Sequence, residues 1–186
     1  PLNHILGFAQ LIKKSPGLPD QVQADVDKIV NSSFHAREIV RKLLVFSRQV
    51  SPQKTKVDLN YIVKNAIGLF ESKCASDGIE FQCVLQPDLP KIDADPSQLH
   101  QVFVNLIVNA IQAMSKGGKI TISTLKDQAK ACLLVEDTGA GMGKNVLQKI
   151  FTPFFTTKDI GTGTGLGLPV VHGIVTAHGG SITVAS

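Results

Sequence analysis

Residues 95–114 constrain the fold more than any other segment, because they predict one long amphipathic helix with both ends marked. Asp95, Pro96 and Gln98 form a capping-box pattern with proline at the first helical position. Apolar residues then follow one face in steps of three and one, at Leu99, Val102, Phe103, Leu106, Ile107, Ala110, Ile111 and Met114. Gly117 and Gly118 end the pattern. The segment is therefore expected to be a core helix.

The other segments between residues 58 and 186 mix helix and strand patterns. Asp58 is expected to cap a helix that runs to about Ser76, and strands are expected at 79–85, 119–125 and 131–136. The last helix starts after a glycine run and ends at His178, and a final strand is expected at 181–185. Because strands and helices do not alternate strictly, the predicted fold class is α+β, with a two-layer sandwich rather than a doubly wound sheet.

Residues 1–50 predict a helical hairpin. A first helix ends at the turn-forming residues 15–19, and a second helix starts near Asp20. Steps of four and three connect a heptad seam in the second helix: Val22, Val26, Ile29, Ser33, Ala36, Val40 and Leu43. Two helices cannot enclose such a seam, so we expect two copies to form a dimeric four-helix bundle. The alternative is that the hairpin packs onto the rest of its own chain.

Composition narrows the classes of partner. Residues 1–57 carry nine Lys or Arg and four Asp or Glu, or +5, and the rest of the chain carries ten and eleven, or −1. No basic stripe is interleaved with aromatic residues, so we do not expect a nucleic acid partner. The sequence contains no run of about eighteen apolar residues, so no membrane span is predicted. The three cysteines show no close pairing, which favours free thiols in a reducing compartment.

Amides mark one side of the core helix. Gln98, Gln101, Asn105, Asn109 and Gln112 fall along one stripe beside the apolar face. Amide oxygens can ligate Mg²⁺ without the repulsion that a carboxylate exerts on phosphate. Asn105 and Asn109 are one turn apart and can act on the same ligand. The alternative is a polar helix side that happens to be rich in amides.

A second motif follows a hydrophobic strand. Asp137 stands at the strand end and precedes Gly139, Gly141 and Gly143. A buried carboxylate at this position can accept a hydrogen bond from an exocyclic amine such as that of adenine, and the glycines allow a ligand to approach the backbone. The alternative is an ordinary turn, since Asp followed by glycine favours turns in general.

A third motif, the glycine run 161–167, leads into the last helix. Its backbone N–H groups and the helix start suit phosphate. The preceding residues 151–158 contain three phenylalanines that could close over a nucleotide as a lid. Lys158 could reach a terminal phosphate, although a surface lysine is an equal alternative. No histidine pairs with cysteine or histidine at a metal-binding spacing.

The order of these motifs resembles the core of a two-component sensor histidine kinase, and most closely the nitrogen-regulation-sensor subgroup with Phe-Phe-Thr-Thr-Lys and a short ATP lid. Residues 1–50 resemble the dimerisation and phosphoacceptor hairpin, with 51–57 as a linker. Residues 58–186 resemble the catalytic ATP-binding domain of the Bergerat fold. The resemblance covers nearly the whole chain.

The resemblance implies a role for each motif. Asn109 would ligate Mg²⁺, and Asn105 and Lys158 would act in catalysis at the phosphates of ATP. Asp137 would bind the adenine amine. The full predicted nucleotide-binding set is Asn105, Asn109, Asp137, Gly139, Gly141, Met142, Phe151, Lys158, Gly163, Thr164, Gly165, Leu166, Gly167 and Leu168. The expected partners are ATP or ADP, a second copy of the chain and a response-regulator receiver domain. The expected location is the cytoplasm, with any membrane anchor outside these residues.

The chain departs from the family pattern at its ends. The family's acceptor histidine is expected five residues before Pro1, and the family usually continues past residue 186 with one more strand. His4 is displaced by eight residues from the acceptor position, so we expect this segment to bind ATP without phosphorylating itself. One alternative is a hydrolytic ATPase of the gyrase, Hsp90 or mismatch-repair type, which uses a glutamate where this chain has Asn105. Another is a dimerisation module without catalysis.

Overall fold

The structure is a computed structural model that describes residues 1–47, 52–128, 130–158 and 163–186. The described residues form two compact units. One contains those of 1–50 and 156–166, and the other those of 51–155 and 167–186. Residues 48–51 and 159–162, which include parts of the predicted hairpin, linker and glycine run, lie outside the description. None of the described helices is both long and apolar enough to cross a membrane.

The first unit contains the predicted helical hairpin. Helix α1 (Leu2–Lys13) and helix α2 (Asp20–Ser47) pack against each other across a turn in which Gly17 has a φ of 77°. Lys13 Nζ contacts Asp27 Oδ1 at 2.6 Å, but both side chains are about half exposed, so this ion pair adds little stability. Ala9 of α1 and Val26 of α2 are buried, so apolar packing contributes to the stability of this unit.

The seam of α2 is only partly covered within one chain. Val26 and Ser33 are buried, with exposures of 4% and 7%. Val22, Ile29 and Val40 remain 37–45% exposed. One copy of the hairpin therefore leaves part of the seam available for contact with another surface.

The second unit contains the strands and the remaining helices. These elements are β1 (Thr55–Val57), α3 (Leu59–Gly68), α4 (Glu71–Ser76), β2 (Ile79–Leu85), β3 (Ile92–Ala94), α5 (Pro96–Ala113), β4 (Gly118–Asp127), β5 (Lys130–Asp137), α6 (Lys144–Leu147) and α7 (Gly167–Ala177). Strands β1 and β3 form an antiparallel pair. The main sheet has the order β2-β4-β5, parallel between β2 and β4 and antiparallel between β4 and β5.

Helices cover one face of the main sheet. Phe103 and Ile107 of α5 are fully buried in one cluster with Ile120 and Ile122 of β4 and with Val63 of α3. The opposite face of the sheet displays exposed apolar residues, such as Val84 at 54% and Leu134 at 45%. This arrangement confirms the predicted α+β fold with two layers.

One predicted helix is broken in two. The segment expected to run to Ser76 as a single helix ends at Gly68, and α4 begins at Glu71. Leu69 and Phe70 donate to the carbonyls three residues back, at 3.3 and 2.8 Å, which tightens the final turn. Glycine has a low helix propensity, so this is the weakest point of the segment.

The other differences between the predicted and observed elements concern short strands. Residues 55–57, predicted as the end of a linker, form β1, and its partner β3 was not predicted at all. The predicted final strand at 181–185 is wrong: all these residues are described, and none belongs to a strand. The alternating pattern of Ile182 and Val184 is present, but a strand also needs a hydrogen-bonded neighbour, and no described strand pairs with it. The predicted division into domains stays a prediction.

Candidate nucleotide-binding site

The asparagine pair of α5 lies against the start of α7. A Cβ built on Gly167 would lie 3.6 Å from Asn105 Oδ1 and 3.6 Å from Asn109 Nδ2. Both asparagines are half-buried, so they remain accessible to a ligand. The first N–H groups of a helix have no partner within the helix, and they carry its positive dipole end. Two amide side chains and a helix N-terminus therefore converge at one point, an arrangement that suits a phosphate group.

The first turn of α7 is held firmly. Pro169 and Val170 are buried, and Leu168 is half-buried beside them. Proline fits here because its missing N–H would have no helical partner in the first turn. The apolar packing of this turn fixes the position of Gly167 relative to Asn105 and Asn109.

The register of the sheet sets the direction of Asp137. Asp137 pairs with Ile120, and Val135 pairs with Ile122, so Asp137 lies on the face that the helices cover. Its Oδ1 accepts a hydrogen bond from Gly139 N at 2.9 Å. The expectation that Asp137 is buried is wrong, because the residue is exposed. It is the last residue of β5.

The turn after Asp137 is pressed onto the end of α5. Ala140 N donates to Ala113 O at 3.2 Å, and Ala113 is the last residue of α5. Thr138 Oγ1 accepts from Lys119 N at 3.0 Å and lies 3.7 Å from the buried sulfur of Met114. The sequence alone did not predict that Ala113 and Thr138 hold the turn after Asp137 in place. For Thr138, its position between Asp137 and Gly139 in the motif could have indicated this role.

The two ends of the candidate site are therefore ordered along one helix. Asn109 faces Gly167, and Ala113, one turn further along, contacts the Asp137 turn. One turn of helix is about 5.4 Å long. A ligand with phosphates at one end and an amine-bearing ring at the other would lie along this part of α5.

Two further predicted residues follow the turn. Gly141 has a φ of 69°, a conformation that favours glycine. Met142 is half-buried, and its backbone N donates to Ser186 Oγ at 2.6 Å. These contacts place the backbone of 141–142 close to the end of the described chain.

The predicted lid starts against α7. The ring of Phe151 lies 4.9 Å from the ring of His172, with an angle of 42° between the planes. Phe154 is 56% exposed and has a φ of 67°, which is unusual for a residue other than glycine. Closure of these aromatic residues over a ligand stays a prediction.

The remaining predicted phosphate-binding residues belong to the first unit. A Cβ on Gly163 would lie 2.5 Å from Thr156 Oγ1 and 3.0 Å from Lys158 Cβ, so a larger residue there would displace the Thr156 or Lys158 side chain. Thr156 Oγ1 also accepts from Lys158 N at 3.1 Å. Partial desolvation lowers the pKa of the Lys158 ammonium, although the residue as a whole is exposed.

The residues between Lys158 and α7 differ in backbone conformation and burial. Gly165 has a φ of 63° and Thr164 is half-buried, whereas Leu166 is fully buried. Gly161 and Thr162 lie outside the described residues. Phosphate binding by Lys158 and residues 163–166 stays a prediction.

The asparagine pair, the start of α7 and the Asp137 turn all belong to the second unit, and they are the features expected of a nucleotide site on an α+β fold. A family model described as "Histidine kinase-, DNA gyrase B-, and HSP90-like ATPase" matches residues 94–186. The matched half contains the asparagine pair, the Asp137 turn and the start of α7. The chain belongs to this family.

The relatives by sequence narrow the comparison. The sensor histidine kinase ZraS of Escherichia coli strain K12 is 35% identical over the whole chain, which spans 40% of that protein. Sporulation kinase C of Bacillus subtilis strain 168 is 36% identical over the whole chain, which spans 42% of it. The chain therefore spans less than half the length of these curated relatives.

Solved structures agree with the sequence comparison. Full-length ShkA in complex with AMPPNP covers 96% of the chain at a TM-score of 0.77 and 27% identity, and the match uses 38% of that protein. Histidine kinase ThkA in complex with response regulator TrrA covers 97% at a TM-score of 0.72 and 29% identity, and the match uses 52% of that chain. Both the hairpin and the sandwich fall within these matches.

Proposed function

We propose that this chain is the catalytic core of a sensor histidine kinase, which binds Mg·ATP and transfers the γ-phosphoryl group to a histidine. A response-regulator aspartate would then receive the phosphoryl group. The observation that carries the proposal is the alignment of three motifs along α5: Asn105 and Asn109 face Gly167, and Ala113 holds the Asp137 turn. Relatives named as a sensor histidine kinase and as a sporulation kinase match the chain from end to end.

In this proposal each residue of the site contacts a different part of the nucleotide. Asp137 accepts from the adenine amine, and Gly139 and Gly141 bring the backbone close to the ring. The N-terminus of α7 suits phosphate oxygens, and phosphate binding by Lys158 is proposed from the sequence motif alone. The side-chain oxygen of Asn109 suits Mg²⁺, which neutralises phosphate charge when it is bound. Phosphoryl transfer depends on position and electrostatics more than on covalent help from the protein.

Asn105 distinguishes this proposal from ATP hydrolysis. A hydrolytic ATPase needs a base that accepts a proton from the attacking water, and a carboxamide cannot serve as that base at neutral pH. The side-chain amide of Asn105 lies against Gly167, where it can orient a phosphate group. We therefore assign Asn105 a role in positioning the phosphates for attack by the imidazole of a histidine.

We propose two protein partners, a second copy of the chain and a response-regulator receiver domain. The uncovered part of the α2 seam, together with Phe8 and Leu11 of α1, which are 68% and 63% exposed, supports a homodimer. ThkA, which has a similar fold, forms a complex with the response regulator TrrA, and this supports a receiver domain as the phosphoryl acceptor. The proposed location is the cytoplasm, where ATP is available.

Calorimetry and phosphoryl transfer test the two parts of this function. The chain should bind Mg·ADP and Mg·ATP. Labelled ATP should leave the chain unlabelled and should label a version extended upstream through the expected acceptor motif. The same extended version with the acceptor histidine replaced by glutamine is the control. Rapid release of phosphate without any labelled protein would favour the hydrolytic ATPase instead, and failure to bind either nucleotide would overturn the proposal.

A further inference from the structure

The carboxylate of Asp95 joins the start of α5 to the segment before β1. Its Oδ1 accepts from Ser97 N at 2.9 Å, Ser97 Oγ at 2.6 Å and Gln98 N at 3.2 Å. Its Oδ2 accepts from Gln53 N at 3.0 Å. Asp95 is only 9% exposed, so water cannot easily replace these bonds. Residue 53 and the helix start are therefore held by one side chain.

His178 adds the end of α7 to the same cluster. Its Nε2 lies 3.0 Å from Asp95 N, and its Nδ1 lies 2.8 Å from Ile174 O. A backbone N–H can only donate, so Nε2 accepts and Nδ1 carries the proton that it donates to Ile174. The ring is thus a neutral bridge between the backbones of α5 and α7. In a capping box, Gln98 would bond to Asp95 N, but His178 takes that place.

Lys54 strengthens the junction from the other side. Its Nζ donates to Ala177 O at 3.1 Å, and Ala177 is the last residue of α7. A cation is favourable at a helix C-terminus, where unpaired carbonyls carry partial negative charge. Gln53, Lys54, Asp95 and His178 together form what we call the clamp. It ties residues 53–54 to the N-terminus of α5 and the C-terminus of α7.

The opposite end of α7 is Gly167, which faces Asn105 and Asn109. Helix α7 has 11 residues and is therefore about 16 Å long, and it packs along α5. A rigid helix that pivots at its C-terminus moves most at its N-terminus. We propose that His178 is a positioning residue for nucleotide binding: through Asp95 it fixes α7 so that Gly167 meets the asparagine pair. This inference rests on the proposed nucleotide-binding function.

The clamp also couples residues 53–54 to the phosphate end of the site. A nucleotide that holds Gly167 against Asn105 and Asn109 favours the arrangement of α7 in which the clamp is closed. Coupling of this kind is reciprocal, so a bound nucleotide must stabilise the clamp as much as the clamp stabilises binding. The amide hydrogens of Gln53 and Asp95, both bonded within the clamp, report its closure.

Substitution of His178 tests the positioning role. His178→Leu removes the acceptor for Asp95 N, and we expect it to weaken Mg·ADP binding about fivefold in calorimetry, the effect of one lost hydrogen bond. His178→Gln keeps a side-chain acceptor at a similar reach and should restore affinity. His100→Leu, on α5 but outside the clamp, is the matched control and should leave affinity unchanged. Equal affinities of His178→Leu and the unchanged chain would overturn the proposal.

A second substitution covers the case in which His178→Leu does not fold. Lys54 is exposed, so its replacement leaves the core intact. Lys54→Met should weaken Mg·ADP binding by about threefold, because the cation at the end of α7 is lost, whereas Lys54→Arg should not. Unchanged affinity in Lys54→Met would count against the clamp.

Hydrogen exchange tests the coupling directly. Mg·ADP should slow exchange at the amides of Gln53 and Asp95 in the unchanged chain and have a smaller effect in Lys54→Met. Exchange that is indifferent to nucleotide would overturn the coupling. If the unchanged chain binds no nucleotide at all, the proposed function itself has failed. If it binds and the clamp variants bind equally well, only this inference has failed.

Discussion

Gly139 lies so close to Ala113 that a methyl group at position 139 would be 2.6 Å from the Ala113 Cβ and 2.8 Å from its carbonyl oxygen. Gly139→Ala should therefore displace the turn that carries Asp137. We expect overpacking to cost about 1–3 kcal/mol of folding stability and to weaken Mg·ADP binding at least fivefold. Denaturant unfolding and calorimetry measure the two effects.

Gly173 of α7 provides a control substitution that should raise stability where Gly139→Ala lowers it. A Cβ at this position would have no heavy atom within 4 Å. Gly173→Ala should raise the free energy of unfolding by about 0.5–1 kcal/mol, because alanine loses less conformational entropy in a helix. If Gly139→Ala were as benign as Gly173→Ala, the contact between the turn and α5 would not matter for the site.

Asp137 should determine the choice of base. Its carboxylate can accept from the 6-amino group of adenine but would face the 6-oxo group of guanine. Because Asp137 is exposed rather than buried, we expect a preference for ADP over GDP near the lower end of the usual range, about 1 kcal/mol or fivefold. Asp137→Asn should reduce this preference. Equal calorimetric affinities for ADP and GDP in the unchanged chain would contradict the assignment.

Removal of Mg²⁺ tests Asn109. Chelation of Mg²⁺ should weaken ATP binding in the unchanged chain. Asn109→Leu should show weak binding with Mg²⁺ present and little further loss when the metal is removed, since both changes abolish the same interaction. Gln82→Leu, on the sheet face opposite to α5, removes an exposed amide and should keep the full response to Mg²⁺. A full response in Asn109→Leu would exclude Asn109 as a metal ligand.

Asp95 should make the fold sensitive to acid. The hydroxyl of Ser97, followed by backbone N–H groups of Gln98, Gln53 and Ser97, lowers the pKa of Asp95 from its usual value. A lowered folded-state pKa stabilises the fold fully above the usual aspartate pKa of about 3.9, and this stabilisation is lost as pH falls through the folded-state value. Asp95→Ala should cost about 2 kcal/mol at neutral pH. It should also flatten the acid limb of stability measured by denaturant unfolding.

The exposed seam of α2 predicts a dimer that a charge can disrupt. Ile29 is 45% exposed in one copy of the chain, and its burial against a second copy would make a charge there very unfavourable. Ile29→Glu should convert a dimer to a monomer in light scattering at micromolar concentration. Asn31→Glu adds the same charge at an exposed position outside the seam and should leave the mass unchanged. A monomeric mass for the unchanged chain would contradict the dimer.

Local signals were enough to predict most elements of this fold. The helix α5 was predicted to within one residue at its start, because Asp95, Pro96 and the apolar steps all act within a few residues of each other. The main strands were predicted for the same reason. The break after Gly68 and the short pair β1 and β3 were missed, since the first depends on one glycine and the second on pairing between segments 37 residues apart.

Long-range contacts could not be read from the sequence. His178 bonds to Asp95 across 83 positions, and no pattern near either residue indicates that partner. The exposure of Asp137 depends on where α5 ends relative to β5, which register and packing decide. Gly167 was expected at a phosphate site for its place in the glycine run. Its approach to Asn105 and Asn109 became visible only in the structure.

The parallel pairing of β2 with β4 has a consequence for the time course of folding. Parallel neighbours need a long crossover connection, and here the crossover is the segment 86–117, which contains α5. The helix that carries Asn105 and Asn109 is thus seated only when two strands distant in sequence have found each other, a slow, non-local step. After dilution from denaturant, we expect helical signal to return first and the capacity to bind nucleotide to return last.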